Sequence, residues 1–207
     1  MTCRKSQRTS TWTSSKCPVR DAEPVVILGI DPGTAVTGYG VVRKEGRGSL
    51  SLIECGVIRT KPRDELAQRL AEIHDGVLEL IRRHKPTVLA IEDIFYARNV
   101  RTTVVLGHAR GVILLAGAHS AMEIHEYPPA EIKKAVAGTG AATKIQIQFM
   151  VMRLLRLKSA PQPSDAADGV AAALAYALMP NLPKIESIRF PSSTMTRTPA
   201  DLKRVER

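Results

Sequence analysis

The 207-residue chain is short of the residues that would commit it to several common designs. Its three cysteines, Cys3, Cys17 and Cys55, stand at unrelated spacings that make neither a disulfide framework nor a zinc pattern. An odd count fits a reducing compartment. Five histidines (His74, His84, His108, His119 and His125) show no metal-ligand spacing and read as ordinary surface or core residues. Aromatics make up 4% of the sequence, eight residues in all. No apolar run approaches the ~20 residues of a membrane span, and the N-terminus lacks the apolar stretch of a secretory signal. The expectation is a soluble protein with no membrane partner.

What the chain has in excess is positive charge. Thirty Lys and Arg face twenty Asp and Glu, a net charge of +10 shared between both terminal segments and the middle. A basic globular protein usually meets a polyanion, nucleic acid first, although basic tails can also serve only to solubilise. The organisation predicts a disordered basic N-terminal arm over 1–24, one domain over 25–180 and a flexible basic C-terminal tail over 181–207. A domain of that size buries roughly 70% of its unfolded surface, enough for a proper core.

Within the domain, strands are predicted at about 25–31, 36–44 and 50–60, joined by turn chemistry. A helix follows at about 64–84, where Leu66, Leu70, Ile73, Val77 and Leu80 form one apolar stripe. The run "TVLAIED" after Pro86 is apolar on both faces and β-branched, as a buried strand is. A second helix at about 100–121, the strand "MEIHEY", a helix opened by Pro128-Pro129, another from near Thr143 and a last one through "DAADGVAAALAYALM" complete the pattern. Three antiparallel strands followed by alternating helices and strands make a mixed α/β sheet covered by helices.

Four acids fall at telling places. Asp31 ends the first strand, Glu92 ends "VLAIE", and Asp165 and Asp168 stand three apart at the start of the last helix, on one face. Each has a plain structural reading. Asp-Pro-Gly is good turn chemistry, an acid at a strand end is often the first polar residue into solvent, and Asp in a first helical turn complements the macrodipole by roughly 0.3–1 kcal/mol. Together they say more. If the first and fourth strands are neighbours, Asp31 and Glu92 converge at one edge, where the sites of α/β sheets collect. Clustered carboxylates repel unless cations neutralise them, and oxygen-only donors select hard ions, Mg²⁺ or Mn²⁺. Two such ions form a known machine for phosphodiester hydrolysis, so an acidic metal site inside a basic protein points to a nuclease.

Further signals surround these acids. Phe95 and Tyr96 follow Glu92 closely and could stack on bases or simply pack. Arg98 is grouped with them as a DNA contact. Lys133, Lys134 and Lys144 flank a glycine turn near a helix start, suited to phosphate. "GTGAATK" is not a Walker A loop, since Lys144 lacks the preceding Gly and a following Ser/Thr. The helix "VVLGHARGVILLAGA" is apolar nearly all round, hence deeply buried or shared with a second subunit. Its Gly107 and Gly111 permit close approach, and Val104, Leu106, Val112 and Leu115 are its interface candidates. Gly38 and Gly40 are expected to keep the second strand slim where a DNA backbone approaches.

With these residues in hand, the chain over about 25–180 resembles RuvC-type Holliday-junction resolvases. The matching pieces are "LGIDPGTAVTGYGVV", "AIEDIFYARN", "LGHARGVILLA", "EYPPAEIKKAVAGTGAATKIQIQFMV" and "DAADGVAAALA". The resemblance implies an RNase H-like five-stranded mixed sheet flanked by helices, and a bacterial cytoplasmic homodimer that nicks a four-way junction symmetrically. It implies 5′-phosphate and 3′-hydroxyl products, roles in recombination and repair, and the RuvA–RuvB branch-migration motor as partner. By position, Asp31, Glu92, Asp165 and Asp168 match the family's metal-binding carboxylates, Phe95 an aromatic that contacts bases near the crossover, and Lys133 and Lys144 basic residues near the cleaved phosphate. The 24-residue N-terminal extension departs from the family pattern.

Two other readings compete. A nucleotide-binding ATPase of the actin or sugar-kinase type also has a phosphate loop reading strand–Asp–x–Gly–Thr, but needs two such domains where this chain has room for one. A junction- or RNA-binding relative without catalysis is the second, against which all four carboxylates are present.

Overall fold

The computed structural model describes residues 23–46, 48–93 and 100–179. The expected C-terminal tail, the expected N-terminal arm except Glu23 and Pro24, and the site candidates Phe95, Tyr96 and Arg98 lie outside the described residues. The elements are β1 (Val25–Asp31), β2 (Val36–Lys44), β3 (Leu50–Arg59), α1 (Leu66–His84), β4 (Val88–Glu92), α2 (Val100–His119), β5 (Glu123–Tyr127), α3 (Pro129–Ala137), α4 (Lys144–Leu154) and α5 (Ser164–Leu178). The sheet order is β3-β2-β1-β4-β5. The first three strands form an antiparallel meander, and β1–β4 and β4–β5 are parallel. Thus β1 and β4 are neighbours, the condition on which convergence of Asp31 and Glu92 depends.

Local chemistry explains the ends of these elements. At the β1–β2 turn, Pro32-Gly33 reverses the chain and the Thr37 hydroxyl donates to the Gly33 carbonyl at 2.6 Å. Helix α1 buries Ile73, Val77 and Leu80. It closes on Lys85, whose φ of 49° is left-handed and whose N–H bonds the Ile81 carbonyl. At α4, Thr143 and Gln146 form a reciprocal capping box. Its Gln146 N–H donates to Thr143 Oγ1 at 3.3 Å, and the Thr143 N–H donates to Gln146 Oε1 at 2.8 Å.

The strands alternate between two cores. Leu28, Ile30, Val41, Leu89 and Ile91 pack with α1 and α2 on one face. Ile27, Val42, Val88 and Ala90 pack with α3, α4 and α5 on the other. Because side chains alternate with a period of two, Asp31 continues the row of Ile27, and Glu92 continues the row of Val88 and Ala90. Both acids therefore point to the α5 face.

Helix α5 reaches that face through small residues. A β-carbon on Gly29 would lie 2.2 Å from the Gly169 carbonyl oxygen, and one on Gly169 would lie 2.5 Å from Tyr39 Cα. Gly38 and Gly40 do the same service: their added β-carbons would meet the Asp165 carbonyl oxygen at 1.9 Å and Val170 at 2.4 Å. The expectation that these two glycines leave room for a DNA backbone is thereby corrected. They leave room for the helix that carries two of the acids.

Helix α2 is neither wholly buried nor wholly free. Ala109, Ile113, Ala116 and Gly117 are buried, whereas Val100, Val104 and Leu115 are exposed. Leu106 is half-buried, and Val112 packs against the core. A β-carbon added to Gly107 or Gly111 would meet nothing within 4 Å among the described residues. Among the described residues, no helix is long and apolar enough to cross a membrane.

Candidate active site

Asp31 and Glu92 are the last residues of neighbouring parallel strands, one step beyond the paired Ile30 and Ile91. Asp165 and Asp168 stand in the first turns of α5. Asp31, Glu92 and Asp168 line one cleft of about 220 Å³ with Lys133, Lys144, Pro129, Ile132, Ile147 and Ala171. Asp165 is not in its lining, although its charge acts on Asp31. The sequence-predicted acids are thus brought together.

Their electrostatics are those of a crowded anionic site. Burial, then the Asp168 and Asp165 carboxylates, push Asp31 from the ordinary 3.8 up to about 7. Burial, then Asp31 and Asp168, push Glu92 from 4.5 to about 7. Lys144 opposes the shift at both acids and Lys133 opposes it at Glu92, but the offset is partial. Lys144 Nζ stands 2.7 Å from Asp168 Oδ2, and that bond raises the lysine's own pKa.

Lys133 and Lys144 line the cleft from α3 and α4, while Lys134, in the last turn of α3, is exposed and outside the lining. Pro129 at the first position of α3 and the capping box of α4 set where these two lysines begin.

Among the described residues, no three acidic, histidine or cysteine side chains stand as a ready-made metal cage, and Asp168 is held by Lys144. The donor set nevertheless suits a hard divalent cation. It offers carboxylate oxygens only, and a cation would offset both the burial and the carboxylate repulsion that raise Asp31 and Glu92.

Two features escape the sequence reading. Arg110, a lone cation in the apolar run of α2, pairs with Glu126 on β5 and with Asp93 at 3.2 Å, next to Glu92. Its isolation in an apolar helix was the available signal. Thr60 and Arg69 brace the turn beyond Asp31. The Thr60 hydroxyl donates to the Thr34 carbonyl at 2.5 Å, and Arg69 Nε donates to Thr60 Oγ1 at 3.0 Å. No spacing announces that contact, because it joins segments far apart in the chain.

A mixed five-stranded sheet flanked by helices, with acids at the ends of its two inner parallel strands and on a crossing helix, defines the RNase H-like class. The family model of crossover junction endodeoxyribonuclease RuvC matches residues 27–176. The chain belongs to this RuvC family. It is 46% identical over 153 residues to crossover junction endodeoxyribonuclease RuvC of Pelotomaculum thermopropionicum, covering 74% of this chain and 93% of that protein. The RuvC of Photorhabdus laumondii is 48% identical over 151 residues, covering 73% and 86%. Among solved structures, Thermus thermophilus RuvC in complex with Holliday junction substrate superposes with a TM-score of 0.72 at 36% identity, covering 75% of this chain and 94% of that one.

Proposed function

We propose that the chain is a structure-selective endonuclease that resolves four-way DNA junctions by paired, symmetric nicking, in recombination and repair. The observation that carries the reading is the convergence of Asp31, Glu92 and Asp168, with Asp165 close enough to act on Asp31, in a cleft walled by Lys133 and Lys144. The Thermus relative solved with a Holliday junction supports the choice of substrate.

The four carboxylates are the groups that would hold Mg²⁺, two ions per site, with Mn²⁺ able to serve instead. Held by these four carboxylates, such ions would activate a water and stabilise the leaving 3′ oxygen, the chemistry that leaves 5′-phosphate and 3′-hydroxyl ends. The chain's own part is placement. The backbones of α5 and the sheet touch at Gly29, Gly38 and Gly169, which fixes both helix acids against both strand acids. Lys144, a point charge, can exchange Asp168 for a phosphate oxygen, and Lys133 faces the same cleft. Lys134, with Phe95, Tyr96 and Arg98, completes the DNA contacts in this reading.

Paired nicking calls for two sites. The exposed Val104 and Leu115 share one face of α2 with Val112 on its flank, and two copies would associate through it. The half-buried Leu106 falls on the opposite side of the helix, with the buried Ile113. The family resemblance adds the RuvA–RuvB branch-migration motor as partner and the bacterial cytoplasm as location.

The test is Mg²⁺-dependent cutting of a synthetic four-way junction beside linear duplex. Symmetric nicks in the junction and little cutting of duplex are expected. Asp31→Asn should abolish cutting and leave junction binding equal or tighter, because one negative charge near phosphate is gone. Cutting at the wild-type rate by Asp31→Asn would overturn the site assignment. ATP hydrolysis without junction cutting would favour a nucleotide-binding reading instead.

A further inference from the structure

Beyond the acid cleft, the catalytic end of the sheet carries a second charged feature, on the side away from Lys133 and Lys144. Strand β3 ends at Arg59, which is exposed, as are Lys61 and Arg63 in the turn that follows. The strand register fixes which way this edge faces. Asp31 pairs with Gly38, Gly38 with Val57, and Val36 with Arg59. Gly38 faces α5, against the Asp165 carbonyl. Residues two apart share a face, so Val36, and Arg59 opposite it, face the same side as the carboxylates. Two strand spacings and two residues separate Arg59 from Asp31, a distance of roughly 12 Å between Cα atoms. That corresponds to about three to four base-pair steps along the axis of a duplex, at ~3.4 Å of rise per step.

The turn is built rather than loose. The Thr60 N–H donates to the Ala35 carbonyl at 3.1 Å, and its hydroxyl holds the Thr34 carbonyl. Arg69 spends its guanidinium on Thr60. The Asp64 N–H closes the turn on the Lys61 carbonyl at 3.0 Å. Asp64 and Glu65 are the acids of this segment, yet no ion pair joins them, or any other described acid, to Arg59, Lys61 or Arg63. The fold thus presents three exposed cations from a braced turn near the acidic site, and among the described residues no acid pairs with them. Unpaired cations on a braced backbone beside a nuclease cleft suit a phosphate backbone.

We propose that Arg59, Lys61 and Arg63 form a phosphate-binding ridge for the duplex arm of the junction that leaves the site past β3. The proposal rests on the junction-cutting reading and adds to it the path of one arm. Lys133 and Lys144 would grip the backbone on one side of the cut, and this ridge on the other.

The experiment measures equilibrium binding of a fluorescent four-way junction in Ca²⁺ over a range of salt. It compares the wild-type protein, Lys61→Ala/Arg63→Ala, the triple variant with Arg59→Ala, and Lys85→Gln at the far end of α1. Each phosphate contact contributes about 0.9 to the slope of log affinity against log salt. The double variant should lose about 2 from that slope and the triple variant more, while Lys85→Gln keeps the wild-type slope. Shortening the junction arms until they no longer reach the ridge should erase the difference between wild type and variants. An unchanged slope in the triple variant overturns the ridge, as does an equal loss in Lys85→Gln, which would mean that only net charge matters. Thermal melting checks that each variant folds. If the wild-type protein does not cut junctions at all, the functional reading fails; wild-type cutting with an unchanged slope in the variants sinks the ridge alone.

Discussion

Lys144 Nζ sits 2.7 Å from Asp168 Oδ2, so a cleft-lining cation and a cleft-lining acid already satisfy each other across the α4–α5 junction. Lys144 is raised above the ordinary lysine value first by that bond and stays charged at any working pH. In the proposed mechanism the pair acts as a gate on charge, in which the lysine would loosen from the acid for the acid to serve a cation and the lysine a phosphate. Lys144→Met should lower the single-turnover cutting rate by about two orders of magnitude, the usual cost of removing one electrostatic donor. It should also lower the Mn²⁺ concentration needed for half-maximal activity, because Asp168 is released. A metal requirement that rises in the variant would mean that Lys144 organises the acids instead of competing for them.

The raised acids predict how the metal-free protein responds to pH. Asp31 and Glu92 sit at about 7 when folded, against ordinary values of 3.8 and 4.5, because of burial and mutual repulsion. Both pKa values are raised on folding, so the folded state holds protons that the unfolded chain has already released. Their contribution to stability is fully present below the unfolded values, about pH 4, and is lost as pH rises through about 7. In chelator, the melting temperature should fall across this window, and fall less in Asp31→Asn. Added Mg²⁺ should restore more stability at pH 8 than at pH 5. Equal Mg²⁺ stabilisation at both values would place the ion away from these acids.

Gly38 offers a sharper test of how the site is held. A β-carbon there would lie 1.9 Å from the Asp165 carbonyl oxygen and 2.6 Å from its carbonyl carbon, both backbone atoms of α5 that do not yield cheaply. Gly38→Ala should cost at least about 1–3 kcal/mol, the usual overpacking cost, and lower the melting temperature by several degrees. Cutting should fall further than stability explains, because α5 carries Asp165 and Asp168 away from Asp31. Wild-type cutting at temperatures where the variant is folded would show that the acids tolerate the shift.

Much of this arrangement was legible in the sequence, and the illegible parts share one cause. Strand and helix bounds followed from periodicity and turn chemistry, as with Ile73, Val77 and Leu80 on α1 and the start of α4 near Thr143. That Asp31 and Glu92 share a face followed from alternation once β1 and β4 were known to be neighbours. What sequence spacing could not give was long-range contact. The glycines of β2 announced a close approach but not its partner, which is α5 and not DNA. Arg110 announced nothing of Asp93 and Glu126, and Thr60 nothing of Thr34, since each contact joins segments whose approach only the assembled sheet decides.

The proposed α2 interface allows association to be tested apart from folding. Val104 and Leu115 are 53% and 47% exposed, whereas Val112 also packs into the core beneath α1 and α2. A charge at Leu115 should therefore shift sedimentation toward monomer with little change in the monomer's own stability. A charge at Val112 should do both, because it also buries an unpaired carboxylate at a cost of several kcal/mol. A monomer brings one site to the junction, so Leu115→Glu should convert paired cutting into single nicks that do not resolve it, with the nicking rate per site nearly kept. Leu115→Glu that stays dimeric moves the interface off α2, and paired, resolving cuts by a proven monomer would remove the need for two sites altogether.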